Sequence, residues 1–168
     1  PRSTLFPYTT LFRSFPNLII GDNEIASSPS ARNIGVHFDS GMSLAGHIAN
    51  ITKTSFYELR KISSIRKCLT DDAAEILVHA FITSRLDYCN SLFIGLPKTL
   101  FKQLQSVQNA AARLLKRERK YEHITPILQS LHWLPVHKRL EYKVFLTMYK
   151  VYHNKAPSYL CELIQRNT

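Results

Sequence analysis

The residues with the clearest chemical potential are cations gathered in two places. Lys53, Arg60, Lys61, Arg66 and Lys67 fall within one stretch, and Arg113, Lys116, Arg117, Arg119 and Lys120 within another. From residue 98 to residue 150 there are 11 Lys and Arg against 3 acids, a net of +8. Guanidinium and ammonium groups at this density suit phosphate oxygens, and such contacts are blind to base sequence and sensitive to salt. The plain alternative is a solvated helix face, the usual fate of a charge run.

Other residue types offer less. Asp71-Asp72 is the only adjacent acid pair. It follows Thr70, a good helix cap, and acids in a first helical turn are favoured by the macrodipole, so capping is the expected role. Seven His and three Cys invite a search for metal ligands. No C-x2-C or H-x3-H spacing occurs, and His123 and His132 stand nine apart across a short helix, so no metal site is expected. Cys89 has no neighbouring base to activate it and is expected to pack in or near the core. Trp133, between His132 and Leu134, has a face that could stack a base, but a packing role is expected.

These side chains need elements to hold them. Residues 17–20 are apolar and β-branched, 21–23 signal a turn, and Glu24-Ile25 resumes, which predicts a hairpin. Residues 33–38 alternate, with Ile34, Val36 and Phe38 on one side and Gly35 allowing close backbone approach, which predicts a strand. Helices follow. The first is predicted from a Ser43 cap to about Lys67, with Ile48, Ile51, Ser55, Leu59 and Ile62 inward. The second runs from Thr70 toward Gly95 with Leu77, Phe81, Ser84, Tyr88 and Leu92 as its stripe. The third begins near Lys98 with Leu100, Leu104, Val107, Ala111 and Leu114. Thr125-Pro126 opens a short fourth helix. A fifth covers 136–152 with Leu140, Val144, Met148 and Val151, and Pro157 opens a last one with Leu160, Leu163 and Ile164. The fold class is mainly α, a helical bundle preceded by a small β-hairpin or three short strands.

Composition agrees with a folded chain. At 168 residues and 45% apolar content a core is within reach without staples. Three scattered cysteines argue for a reducing compartment rather than a disulfide framework. No run of 18 apolar residues is present to form a membrane-spanning helix. Net charge is +10, which draws the chain to polyanions, nucleic acid ahead of a membrane surface. Residues 1–14 stand apart. Pro7, Thr9 and Thr10 oppose an amphipathic helix, and TLFPYTTLFRS resembles the translation of a sequencing adapter. That leader is expected to be disordered and outside the fold. Removing its Arg2 and Arg13 leaves +8, so the basic character survives.

Five ordered strings carry a resemblance. They are RNIGVHFDSGMSLAGHI (32–48), AFITSRLDYCNSLFIGLP (80–97), LQSVQNAAARLL (104–115), HITPILQSLHWLP (123–135) and APSYLCELI (156–164). Together they resemble the C-terminal end of the reverse transcriptase of jockey-type non-LTR retrotransposons. The resemblance implies the end of a polymerase palm over 15–40, with a primer-grip-like segment around 33–36. It further implies thumb-like helices over 41–121 and a helical C-terminal extension over 122–168. The family's metal-binding Tyr-x-Asp-Asp turn has no counterpart in this sequence, so the expectation is a non-catalytic fragment with no cofactor. Its expected partners are an RNA–DNA or DNA duplex, bound weakly and without sequence preference, and the palm and fingers of a parent polymerase. Its expected location is intracellular, nuclear or cytoplasmic. The candidate nucleic-acid-binding residues are Arg32, Gly35, Lys53, Arg60, Lys61, Arg113, Lys116 and Arg117. The alternative is a helical protein-interaction module or an idle fragment.

Overall fold

The computed structural model describes residues 18–26 and 28–162. The leader 1–14, and Leu163 and Ile164 of the last predicted helix, lie outside the described residues. The fold is mainly α, with two short antiparallel hairpins ahead of the helices.

Strands β1 (Leu18–Ile20) and β2 (Asn23–Ile25) form the expected first hairpin, with Asn23 in the second strand opposite Ile20 and not in the turn. The second segment differs from expectation. Residues 33–38 are not one strand but the turn of a second hairpin, β3 (Ser30–Asn33) and β4 (Val36–Asp39), with Asn33 opposite Val36. Ile34 and Gly35 form its two-residue loop with φ of 45° and 80°. Two successive left-handed residues match the twist of the flanking strands, which is why such turns dominate short hairpins. Gly35 supplies one of them without strain; Ile34, β-branched, does not. Ile34 points to solvent while Val36 enters the core.

Asp39 joins this hairpin to the bundle. Its carboxylate accepts from the N–H groups of Gly41 (3.1 Å), Ser43 (2.9 Å) and Leu44 (2.9 Å) and from the Ser43 hydroxyl (3.0 Å). Helix α1 (Ala45–Ile65) begins just beyond, with the N-cap backbone position held by Leu44 rather than Ser43. Ser43 contributes its hydroxyl, which accepts from the Ala45 N–H at 3.3 Å. Leu44 takes a left-handed φ of 54°, and its side chain is buried. The inward positions of α1 are as predicted: Ile48, Ile51, Ser55, Leu59 and Ile62. The helix stops at Ile65, and a 3-10 turn, Arg66–Cys68, follows.

Helix α2 (Asp71–Val78) is capped by Thr70, whose hydroxyl accepts from Ala73 N–H at 3.2 Å. It runs without a break through a π turn (His79–Thr83) into α3 (Ser84–Asp87). The predicted stripe is corrected here. Phe81, Ser84, Tyr88 and Leu92 are exposed and Leu77 is half-buried, whereas Ala74, Val78, Ile82 and Leu86 are buried. The buried residues recur every four positions, not every 3.6, and a π turn adds the residue that keeps such a row facing one way. The helix also ends earlier than predicted, at Asp87. Cys89 turns left-handed (φ 49°), and a 3-10 segment, Asn90–Phe93, brings Phe93 into the core.

Helix α4 (Lys98–Lys116) packs along α1. It buries Leu104, Val107, Ala111, Ala112 and Leu115, while Leu100 and Leu114 of the predicted stripe are only half-buried. Its buried Gln108 donates to the Leu134 carbonyl (2.8 Å), and Gln105 accepts from the Val136 N–H (2.9 Å). Helix α5 (Ile124–Ser130) starts one residue before Thr125, so Thr125 and Pro126 lie in its first turn and not at the cap. Trp133 is buried, edge-on to His79 at 5.7 Å, in the predicted packing role. Helix α6 (Val136–Tyr152) buries Val136, Leu140 and Val151, but Met148 is exposed. Helix α7 (Ser158–Glu162) closes the described chain.

Two outcomes follow from the hairpin and its junction. Ile34→Asn keeps the turn and the Ile34 carbonyl but removes β-branching at a left-handed position, so stability should rise by about 1 kcal/mol; urea unfolding reads this. The Ser43 N–H, then the Ser43 hydroxyl and the N–H groups of Leu44 and Gly41, hold the Asp39 carboxyl below its ordinary 3.8. A depressed carboxyl contributes stability above its unfolded value and loses it as pH falls through the folded one. The stability gap between the native chain and Asp39→Ala should thus be full at neutral pH and start to close near pH 3.8. Thermal melts across that range measure it.

Candidate nucleic-acid interface

The outward face of α1 carries a line of cations. Lys53 and Arg60 are seven apart, nearly two turns, and Lys67 follows seven beyond, past the end of the helix. The row is about 21 Å long at 1.5 Å per residue. All three are exposed, and so is Tyr57 between them. Lys61 lies to one side, its ammonium 4.3 Å from the Tyr57 ring centre and 3.8 Å from the Glu58 carboxylate.

Arg66 belongs to the same sequence cluster but not to this surface. Its side chain is buried, and all three guanidinium nitrogens donate. Nε donates to the Leu114 carbonyl (3.2 Å), Nη1 to Leu69 (3.2 Å), and Nη2 to Leu115 (3.0 Å) and to the Asp71 carboxylate (2.5 Å). Leu114 and Leu115 lie in the last turn of α4, where carbonyls lack intrahelical partners and the dipole is negative. Arg66, first by a hydrogen bond and then by its charge, lowers the Asp71 carboxyl, with smaller help from Arg117 and Lys116. Asp71 is thus tied to the α4 terminus as well as opening α2.

Beside this clasp the ends of α1 and α4 form a cleft of about 370 Å³ lined by Ser63, Arg66, Lys67, Arg113, Leu114, Arg117 and Glu118. Arg117 reaches it because the chain turns left-handed there (φ 57°), ending α4. Arg113 is half-buried and donates to the Glu122 carbonyl at 3.1 Å, so part of its fork closes the loop after α4. Glu118 is the only acid on the cleft wall.

The eight candidate residues do not form one group. Lys53, Arg60 and Lys61 lie on or beside the α1 row, and Arg113 and Arg117 share the cleft with Lys67. Lys116 instead faces a small recess with Asp71, Glu75, Leu115 and Leu131. Arg32 and Gly35 line a different cavity at the other end of α1, with His47, Asn50, Thr54, Arg85 and Tyr88. Sequence reasoning missed Tyr57 and Arg85. Tyr57 carries a readable signal, four residues from Lys53 and three from Arg60; Arg85 carries none, because its neighbours come from distant segments.

Among the described residues no three His, Cys, Asp or Glu lie close enough to hold a metal ion, and no helix is long and apolar enough to cross a membrane. Comparison with family models, curated proteins and solved structures finds no match to this chain.

The clasp and the row should separate in a stability experiment. Arg66→Met leaves three carbonyls without their donor, while the exposed Asp71 carboxylate returns to water, and should cost about 2 kcal/mol. Arg60→Ala, on the exposed row, should stay within about 0.5 kcal/mol. Urea midpoints of the two variants decide this.

Proposed function

We propose that this chain is a non-catalytic part of a jockey-type retrotransposon reverse transcriptase, and that it holds a template-primer duplex through sugar-phosphate contacts. The observation that carries the reading is the straight row Lys53, Arg60 and Lys67, continued by Arg117 and Arg113 from a second helix. A row of cations about 21 Å long, joined by two more from a second helix, matches a duplex backbone better than a scattered solvated face does. Tyr57 within the row adds an aromatic edge beside the phosphates. The five sequence strings supply the family half of the reading. The catalytic half is left out because the sequence has no Tyr-x-Asp-Asp turn, and Asp71 serves Arg66 and the α4 terminus.

A second reading rests on α6. Tyr142, Phe145, Met148, Tyr149 and Tyr152 are all exposed along that helix. An apolar face of this kind suits a protein partner, and the resembled family offers one in the rest of its own polymerase.

The duplex reading has a quantitative test. Affinity for an RNA–DNA duplex should fall with salt, and each phosphate contact contributes about 0.9 to the slope of log affinity against log salt. Replacing Lys53, Arg60 and Lys67 together by Ala should lower that slope by about 2 to 3 and leave the thermal midpoint near the parent's. Fluorescence anisotropy at several salt concentrations reads it. A triple variant with the parent's slope would overturn the duplex reading in favour of the α6 partner surface.

A further inference from the structure

We propose that the cavity between the β3–β4 turn, α1 and α3 binds a phosphate monoester of nucleotide size, with Arg85, His47 and Arg32 as its donors. The cavity measures about 470 Å³, inside the range that accommodates small organic ligands. It shares no lining residue with the cleft at the far end of α1. The site does not rest on the duplex reading.

The donor set points to an anion. His47 is 4% exposed, and its Nδ1 accepts from the His37 N–H at 3.4 Å. That bond leaves the proton on Nε2, which is buried without an acceptor. Burial, then the neighbouring His37, lowers the imidazole's pKa, so it offers this N–H as a neutral ring. Arg85 is half-buried, and its Nη1 is likewise enclosed without an acceptor. Six buried side-chain atoms lack a partner among the described residues, and two of the donors, His47 Nε2 and Arg85 Nη1, belong to residues that line this one cavity, where an oxyanion would satisfy both. Arg32 adds a second guanidinium from the exposed hairpin, and no Asp or Glu lines the cavity. Two guanidinium charges facing no carboxylate match the near-double charge of a phosphate monoester at neutral pH better than the single charge of a carboxylate.

The remaining wall fits an organic body. Ile51, the Thr54 side chain and the Tyr88 ring supply apolar surface, and Asn50 supplies an amide. The wall is held in place by its own bonds. The Tyr88 hydroxyl donates to the Ile34 carbonyl at 2.6 Å, and a Cβ at Gly35 would meet the Tyr88 ring at 3.4 Å. The hairpin turn is thereby pinned over α3, and Arg32 is carried on the strand that leads into that turn.

Calorimetric titration of the full chain with AMP, UMP and inorganic phosphate tests the site. The mononucleotides should bind saturably at one site and at least tenfold more tightly than inorganic phosphate. Arg85→Met should weaken them at least tenfold. Arg32→Ala, at an exposed strand position where the fold tolerates change, should weaken them several-fold, while the charge control Lys138→Ala on α6 should not. In the native chain the His47 Nε2 resonance should shift on AMP addition, which needs no variant. Two oligonucleotides differing only in a 5′-phosphate separate the sources of the anion. Preference for the phosphorylated strand supports a nucleic-acid end as ligand, and binding of free mononucleotide alone supports a metabolite. Absence of saturation at millimolar AMP, or affinities that Arg32→Ala and Arg85→Met both leave within twofold, would overturn the proposal.

Discussion

Arg66 stands where three segments meet: the end of α1, the start of α2 and the last turn of α4. A guanidinium has donors enough to serve three carbonyls and a carboxylate at once, in a plane that fits their spread. Lysine, a point charge with three donors, does not match that geometry. Helices α1 and α4 pack along each other, and α4 buries Leu104, Val107, Ala111, Ala112 and Leu115. Close-packed side chains favour one seating of the two helices, and directed hydrogen bonds from residue 66 to residues 114 and 115 add to it at their ends. The cleft lined by Lys67, Arg113 and Arg117 exists only in that seating.

A second polar set does the same work at the other side of α4. Gln105 joins Gln108 and Asn109, at 2.8 Å each, and the pair reaches the Leu134 carbonyl and the Val136 N–H. The connector after Trp133 is thus held by amides, and α6 departs from it at a set angle. Arg139 of α6 then pairs with Asp87 at the end of α3 (2.9 Å) and lies 5.8 Å from the Trp133 ring. Arginine and glutamine side chains thus tie the ends and connectors of helices whose faces meet through apolar residues.

That division explains what the sequence disclosed. The α1 stripe was legible because Ile48, Ile51, Ser55, Leu59 and Ile62 follow ordinary helical spacing. The mainly α class and the Thr70 cap were legible for the same reason, since they depend on neighbours in the chain. The second hairpin was not, because Ile34 stands where Asn is usual and hides the turn inside an alternating pattern. The α2–α3 stripe misled because it was set one residue early from its start, Leu77 for Val78 and Phe81 for Ile82, and so ran beside the buried row. Of the basic residues, Lys53 and Arg60 could be placed by counting. Arg66 could not, since its partners lie 48 and 49 positions away. Arg85 was invisible for a like reason: the cavity it lines is closed by a hairpin some fifty residues earlier.

The π turn at 79–83 also bears on how this helix came to have its length. A π turn holds one residue more than the rise it covers requires. Losing one of the five would restore a regular α-helix and strand no backbone group. The ladder would survive, and the residues beyond would keep nearly their present phase, because five residues of π turn sweep about the same angle as four of α-helix. Leu86 would stay toward the core, and Arg85 and Asp87 would stay beside the cavity and Arg139. A deletion in a regular stretch of the helix would instead rotate everything beyond it by about 100°, so the π turn is where this helix can change length without repacking.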